Sequence, residues 1–425
     1  MPVEPQRLEQ LLEVYKGLVE VSALINGITK SSELLPAILD VARRVIKVEA
    51  ASLFLVLPDG DLELTNASGG GVPFSENGRK IVVPRGRGIS GWVLEHGMPL
   101  LIADAYQDPR FYPEVDRQTG FRTRSILCAP LTRNGKEIGV LQLLNPIGRA
   151  CFDQADLEAF SAYGTLAATA IDKLRTVERQ IAQDRVDREF LLAREIQTSF
   201  LPHSLPQMAD VQFAAAYRPA LNVGGDFYDV IELGPDEIYF VIGDVSGKGV
   251  PAALLMAQAQ SMLRLILHPG ISPVTAVARW NTMLSSQTIR GMFITAILGR
   301  IIPSTHDVEF CNAGHCHPFL INARGECQEL KITTSPPLGI VPELPGRSHS
   351  LTLAREEWMV LFTDGLVESL NAQNQPLGTK GAAGLVAGKF AQADKVVDAL
   401  RCGELQHREQ FPPHDDLTLL VFGFK

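Results

Sequence analysis

The sequence predicts a multidomain α+β protein: a mixed segment of helices and antiparallel strands, a long coiled-coil linker helix, and a second half of buried strands flanked by helices. Three observations predict it. Apolar strands arranged around a hairpin turn stand between amphipathic helices over residues 30–166. A heptad of apolar residues runs from Ala167 to Ile181 in a linker helix, residues 167–206, that two prolines end. From residue 207 to 425, apolar runs repeatedly begin or end at an aspartate. At roughly 100–200 residues per domain, 425 residues accommodate this division.

Composition narrows the class. A formal charge of −9 argues against non-specific nucleic-acid binding. The start, "MPVEPQRLEQLLEV", has no apolar signal region, and no apolar run is long enough to span a membrane. Six cysteines without a Cys-x-x-Cys pair suit a reducing compartment. The expectation is a soluble, cytoplasmic protein with no membrane or nucleic-acid partner.

The elements follow in order. Over residues 1–29, Leu11, Val14, Leu18, Val21 and Ile25 alternate steps of three and four, a seam that wants a partner helix. Helical "ELLPAILDVARRVIKV" leads into strand "AASLFLVL", with a turn at Asp59-Gly60. The Gly69–Gly71 run reads as a loop, and "RGISGWVLEHGMPLLI" as a helix and a strand. "RSILCAPLTRNGKEIGVLQLLN" gives two strands around Asn134-Gly135, a strong hairpin signal. Helix "DQADLEAFSAYGTLAATAI" closes the unit.

This order resembles a GAF domain, a small-molecule or protein sensor fused to many signalling enzymes. The resemblance is carried by "GISGWV" (88–93), "IADAYQDPRF" (102–111), "RSILCAPL" (124–131) and "IGVLQLLN" (138–145). Cyclic-nucleotide-binding members carry an Asn-Lys, Phe, Asp-Glu signature, whose matching positions here are Asn145, Pro146, Phe152, Asp156 and Leu157. Proline for lysine and leucine for glutamate remove an ion pair. The resemblance therefore implies either a sensor for a small-molecule or protein ligand, or a module for dimerisation and signal relay.

In the linker, Ala167, Ala170, Leu174, Val177 and Ile181 hold the heptad, and Asp184 and Arg188 interrupt it with charge. Polar residues at seam positions fix register or weaken a coil locally. The reading is a parallel two-stranded coil; a long helix folded back on its own domain is the alternative.

The stretch "VIGDVSGKGVPAALL" (241–255) has the strand–glycine turn–helix order of a phosphate-binding P-loop. It fails the spacing. Only Asp244, Val245 and Ser246 separate Gly243 from Gly247, and Lys248 is followed by Gly249 where a hydroxyl should hold magnesium. What remains is a carboxylate at the end of an apolar strand, and it is not alone. Asp226 and Asp229 follow a glycine pair in "NVGGDFYDVIEL", Asp364 ends the strand in "WMVLFTDGLVE", and Asp415 and Asp416 precede the last strand in "PPHDDLTLLVFGF". Two ionised carboxylates ~4 Å apart repel by roughly 4 kcal/mol at an effective dielectric near 20. Clustered acids at buried strand ends need cations, and no nearby basic run supplies them. An all-oxygen donor set selects Mg²⁺ or Mn²⁺ over zinc.

Residues 207–425 resemble the PPM metal-dependent protein phosphatases, in their SpoIIE-like and RsbU-like branch. The motifs are "AREIQTSFLP", "GGDFYD", "GDVSGKGVPAALLM", "NAGHCHP", "PPLGI", "FTDGLVE" and "HDDLTLL". The resemblance implies two packed β-sheets flanked by helices, with two metal ions at one edge. It makes Asp226 and Asp244 the acids that hold the ions between them, with the Val245 carbonyl, Asp364 and Asp415 completing the ligands. Asp229, Ser246 and Asp416 are candidates to support them. The implied reaction is in-line attack of water on a phosphoserine or phosphothreonine, with no covalent phosphoenzyme. Two departures stand out: Ser246 occupies the place of a histidine proposed as general acid in many relatives, and "LNVGGDF" lacks a phosphate-gripping arginine.

Two other motifs carry less. "CGELQHR" (402–408) has the Cys-x5-Arg spacing of tyrosine phosphatases, but the residues before it have helical periodicity. His315, Cys316 and His317 are adjacent and so point apart on a strand or turn, which reads as structural rather than as a zinc site. The expectation is thus a sensor-regulated, dimeric serine/threonine phosphatase, dimerised through the N-terminal and linker helices. By resemblance its substrate is a phosphorylated anti-sigma-factor antagonist of the STAS type. The alternative is a phosphatase-shaped module that binds phosphoproteins without hydrolysing them.

Overall fold

The computed structural model describes residues 30–69, 81–111, 120–286 and 291–425 and, outside these stretches, Lys16, Val19, Glu20, Ala23, Ile28, Pro113, Asp116 and Arg117. The N-terminal seam positions Leu11, Val14, Leu18, Val21 and Ile25, and Gly70 and Gly71, lie outside the described residues. The chain divides into two compact units, Met1–Arg185 and Val186–Lys425. Among the described residues no helix is long and apolar enough to cross a membrane.

In the first unit, helix α1 (Ser31–Ile46) precedes strands β1 (Val48–Val56), β2 (Leu62–Gly69) and β3 (Val82–Val83), helix α2 (Gly88–His96), then β4 (Leu100–Ile102), β5 (Ile126–Arg133) and β6 (Lys136–Pro146). They form one antiparallel sheet in the order β3-β2-β1-β6-β5-β4. The β5–β6 connection is the two-residue turn expected, with Arg133 opposite Lys136 and Asn134 and Gly135 at φ 50° and 75°. Two positive φ values match the right-handed twist of the strands, which is why Asn-Gly is favoured there.

Helix α3 runs unbroken from Gln154 to Thr198. Its first turns belong to the first unit: Phe160, Tyr163, Ala167, Ala170, Ile171 and Leu174 are buried with Ile38, Leu53 and Leu141 from α1, β1 and β6. Ala167, Ala170 and Leu174, which the heptad assigns to a coil, are therefore covered by the first unit's own core. Val177 and Ile181 are exposed, as are Leu191 and Ile196 further along.

The second unit has two antiparallel sheets. One is ordered β14-β11-β10-β9-β8, from β8 (Phe227–Gly234), β9 (Glu237–Val245), β10 (Ile294–Ile302), β11 (Asp307–Ala313) and β14 (His349–Thr352). The other is ordered β13-β12-β15-β16-β7, from β7 (Val211–Arg218), β12 (Phe319–Ile321), β13 (Cys327–Glu329), β15 (Trp358–Phe362) and β16 (Leu417–Phe424). Side-chain alternation along each strand builds three layers of core. Phe240 and Ile242 of β9 meet Leu420, Phe422 and Phe424 of β16 between the sheets. Tyr239 and Val241 face helices α4 (Val250–Ile266) and α5 (Pro273–Ser285). Leu417, Leu419 and Val421 face α6 (Gly378–Leu385) and α7 (Ala393–Arg408).

Candidate active site

The registers of the two sheets bring the acids together. Phe227 lies opposite Gly243, so Asp226 before β8 and Asp244 near the end of β9 share one end of the first sheet. Phe362 lies opposite Leu419, so Asp364 after β15 and Asp415 and Asp416 before β16 share one end of the second. The two ends meet. The Thr363 and Thr418 hydroxyls, from the second sheet, each donate to Asp226 Oδ2 at 2.7 Å. Thr418 N–H in turn donates to Thr363 Oγ1 at 2.9 Å.

Asp416 braces the loop that carries Asp226. It accepts from Ala220 N–H at 2.7 Å and from Gly225 N–H at 2.6 Å, and its own N–H donates to Asp415 Oδ1 at 2.9 Å. Backbones approach closely enough that two glycines are required. A Cβ on Gly225 would stand 2.8 Å from the Val245 carbonyl oxygen, and one on Gly365 would stand 1.9 Å from that of Asp416.

Electrostatics mark the cluster out. Burial, then the Asp244 charge, pushes the Asp226 carboxyl well above the usual carboxylate range. Burial, with the Asp364 and Asp415 charges behind it, pushes Asp244 up to about 7, although a hydrogen bond with Asp226 pulls the other way. Asp364 rises to about 6 through burial and Asp415, against the opposing pull of the Gly365 N–H and Lys248. Asp416 rises through burial, against the amides that hold it. One ion pair relieves this charge among the described residues: Lys248 Nζ lies 2.9 Å from Asp415 Oδ2.

Do these residues suit divalent ions? Among the described residues no three His, Cys, Asp or Glu side chains stand ready as a metal cage. Lys248 holds one Asp415 oxygen, and two hydroxyls hold one Asp226 oxygen. Mg²⁺ keeps several waters and takes only one or two carboxylates, so a closed protein cage is not what it needs. Four half-buried or buried carboxyls whose charges oppose one another, with a backbone carbonyl beside them, are oxygen donors suited to a hard cation. The residues fit.

Not every predicted residue joins the cluster. Asp229 turns to the helical face of its sheet, where it accepts from Arg264 Nε at 2.7 Å and Gln260 Nε2 at 3.3 Å. Period-two alternation on β8 and a cation on α4 decide that, and neither is visible locally. Ser246 Oγ accepts from Phe293 N–H at 2.9 Å, so its hydroxyl extends the β9–β10 pairing instead of supporting a ligand. Cys402 is exposed on α7, which excludes a phosphate-cradling loop. His315 is buried, with Nδ1 2.8 Å from Thr295 Oγ1, and burial lowers its pKa to about 4, so it stays neutral. Burial and then the Asp364 and Asp244 charges push the Cys316 thiol up to about 12, which leaves it inert.

Four contributing residues are not among those the sequence pattern singles out. Thr363 and Thr418 flank recognised aspartates in "FTDG" and "DDLT", a signal that was present but silent about which sheet each hydroxyl would face. Gln197, in the last turn of α3, is 5% exposed and pairs reciprocally with Gly224: its Nε2 donates to the Gly224 carbonyl, and Gly224 N–H donates to its Oε1 at 3.0 Å. Lys248 was weighed only as part of a failed P-loop.

Comparison with known proteins agrees with this architecture. Residues 31–171 match the GAF domain family, and residues 234–425 match the family described as Stage II sporulation protein E (SpoIIE). Asp226 precedes the second match, so its place rests on the contacts above. The chain is 28% identical over 278 residues to protein IcfG of Synechocystis sp., across 59% of this chain and 44% of that protein. It is 24% identical over 269 residues to phosphoserine phosphatase RsbU of Bacillus subtilis, across 63% of this chain and 78% of that one. The chain thus spans less than half the length of the first of these relatives. The solved SiaA-PP2C domain of Pseudomonas aeruginosa shares the fold at 21% identity and TM-score 0.50, covering 58% of this chain and 98% of that one. The chain therefore joins a GAF domain, through one continuous helix, to a SpoIIE-type phosphatase domain of the PP2C fold.

Proposed function

We propose that this chain is a metal-dependent serine/threonine protein phosphatase under the control of its GAF domain. One observation carries the reading: Asp226, Asp244, Asp364 and Asp415, far apart in sequence, gather where two sheets meet, and burial among these charges raises the proton affinity of the first three. Asp226, Asp244, Asp364, Asp415 and the Val245 carbonyl are the groups that would hold two ions, Mn²⁺ or Mg²⁺. Such ions, when bound, lower the pKa of water and neutralise phosphoryl charge. The protein's own part is positioning. Thr363 and Thr418 aim Asp226 without neutralising it, and Asp416 fixes the loop in front of it.

The likeness to RsbU supports a phosphoserine protein as substrate, and an anti-sigma-factor antagonist of the STAS type in a partner-switching pathway is the specific candidate. The protein is cytoplasmic in this reading. A homodimer would form through the N-terminal and linker helices; the exposed Val177, Ile181 and Leu191 on α3 support the linker half. Regulation would arrive through the end of α3, because Gln197 in its last turn holds Gly224, two residues before Asp226. The sensor's signal is a small-molecule or protein ligand. In the first unit a cavity of about 70 Å³, lined by Ser52, Ser90, Asp116 and Gln142 among others, has room for a few waters and would have to open for anything nucleotide-sized.

Phosphate release from a phosphoserine protein, measured with and without Mn²⁺ for the native chain and for Asp364→Asn, tests the reading. Mn²⁺-dependent release that the substitution abolishes is the expected outcome. Binding of the phosphoprotein with no release under any metal would establish the non-catalytic alternative instead.

A further inference from the structure

The cluster holds more negative charge than two divalent ions can balance. Asp226, Asp244, Asp364, Asp415 and Asp416 carry five negative charges when all are ionised, against four positive charges from two ions. A phosphoseryl group adds about 1.5 to 2 more negative charges at pH 7. A substrate dianion therefore meets a site that is already slightly negative, unless the protein supplies a cation.

Lys248 is placed to do so. Its ammonium pairs with Asp415 at 2.9 Å and donates to the His414 carbonyl at 2.7 Å, yet the side chain remains 42% exposed. An ion pair this open to water is weak and exchangeable. The backbone allows movement as well. Gly247 and Gly249 on either side have φ of 95° and 75°, and a Cβ on either would touch nothing within 4 Å. The turn is not packed in place as the Gly225 and Gly365 loops are. Asp364 also responds to this ammonium, which places Lys248 within electrostatic reach of Asp364 as well as Asp415.

We propose that Lys248 is the phosphate-binding residue of this site, its ammonium passing from Asp415 to the phosphoryl oxygens when substrate enters. The proposal rests on the phosphatase reading for its substrate, but its chemistry is that of a phosphate oxyanion met by a compact, mobile ammonium.

The test uses the full chain as native protein, Lys248→Met and Lys248→Arg. Each is titrated with Mn²⁺ alone, then titrated calorimetrically with inorganic phosphate at saturating Mn²⁺, and assayed on a phosphoserine peptide. Lys248→Met should weaken phosphate binding about tenfold or more and raise KM by a similar factor, with kcat changed less. Its Mn²⁺ affinity should equal or exceed the native value, since a competing positive charge has gone. Lys248→Arg should recover most of the phosphate affinity. Unchanged phosphate binding in Lys248→Met, absence of phosphate binding by the native protein, or a loss of Mn²⁺ affinity that accounts for the phosphate defect would overturn the proposal. Lysine-dependent phosphate binding in a native protein that releases no phosphate would sustain it while refuting the phosphatase reading.

Discussion

Glu49, near the start of β1 in the sensor, and Asp226, just before β8 in the phosphatase domain, hold similar places on their sheets and have opposite chemistry. Burial alone would raise Glu49, but the Asn145 amide at 2.8 Å and the Arg124 guanidinium at 2.6 Å outweigh it, and its pKa falls below the usual carboxylate range. Asp226 also has two good hydrogen bonds, yet they come from neutral hydroxyls and its neighbours are other acids, so its pKa rises. Neutral donors favour the charged form at both carboxyls; what differs is that Asp226 is fully buried beside other acids, whereas Glu49 is partly exposed beside a cation. Elsewhere in the first unit a carboxylate meets a cation directly: Asp156 receives two hydrogen bonds from Arg149 at 2.9 and 3.0 Å. The phosphatase domain can do this too: buried Glu404 is held by Arg218, Ser369 and Arg408, and its pKa is lowered. Leaving the aspartate cluster short of cations is thus local to the site, not a habit of the domain.

Breaking the contrast at its strongest point gives the largest effect. Asp244→Asn should reduce Mn²⁺-dependent phosphate release by ~10³-fold or more. It should also raise the melting temperature of the metal-free protein, because an amide removes the repulsion without leaving a buried charge. Loss of activity accompanied by loss of metal-free stability would mean that the cluster is not electrostatically frustrated.

The pH dependence comes next. Asp244 has an ordinary pKa of 3.8 and a folded value of about 7, so between those limits the folded metal-free protein holds a proton that the unfolded chain has released. The stability from that proton is complete below the ordinary value and is lost as pH rises through about 7. Metal-free stability should therefore fall as pH rises from about 4 to about 7, by on the order of 2–4 kcal/mol. Saturating Mn²⁺ should flatten the slope; calorimetric melting with EDTA and with Mn²⁺ checks both limbs.

Gln197→Ala sharpens the comparison from the linker side. It strips two hydrogen bonds from Gly224 in a buried loop, at a cost of about 1–3 kcal/mol. If the pair positions Asp226, Mn²⁺ affinity should weaken with stability, whereas a purely structural role would leave metal binding by the folded fraction unchanged. The smallest effect belongs to the sensor. Glu49→Gln removes a partly exposed partner of Arg124 and should cost about 1 kcal/mol or less, with no gain in stability at any pH. A gain there would erase the distinction between the two regions.

How far the site was legible depended on range. Aspartate at the end of an apolar run is a local pattern, so Asp226, Asp244, Asp364 and Asp415 could be picked out one at a time, and clustering followed from their lack of counter-ions. Asp229 matches the same pattern and went elsewhere, because alternation on β8 turned it toward Arg264 on α4. Ser246 was claimed by the neighbouring strand at Phe293. The heptad from Ala167 onward was real, but its first part is covered by the sensor core, since an apolar stripe on a helix does not say which apolar surface it meets.

What the sequence by itself determined is therefore the local grammar: strands, the Asn134-Gly135 turn, the long helix, and which acids sit at strand ends. These follow from side-chain periodicity and turn chemistry, which act over a few residues. Tertiary structure alone decided which hydroxyls reach across from one sheet to the other, that Gln197 grips the loop before Asp226, and that Lys248 lies against Asp415. Those contacts join residues as far as 192 positions apart, and they exist only once both sheets have packed and fixed which face of each strand looks inward.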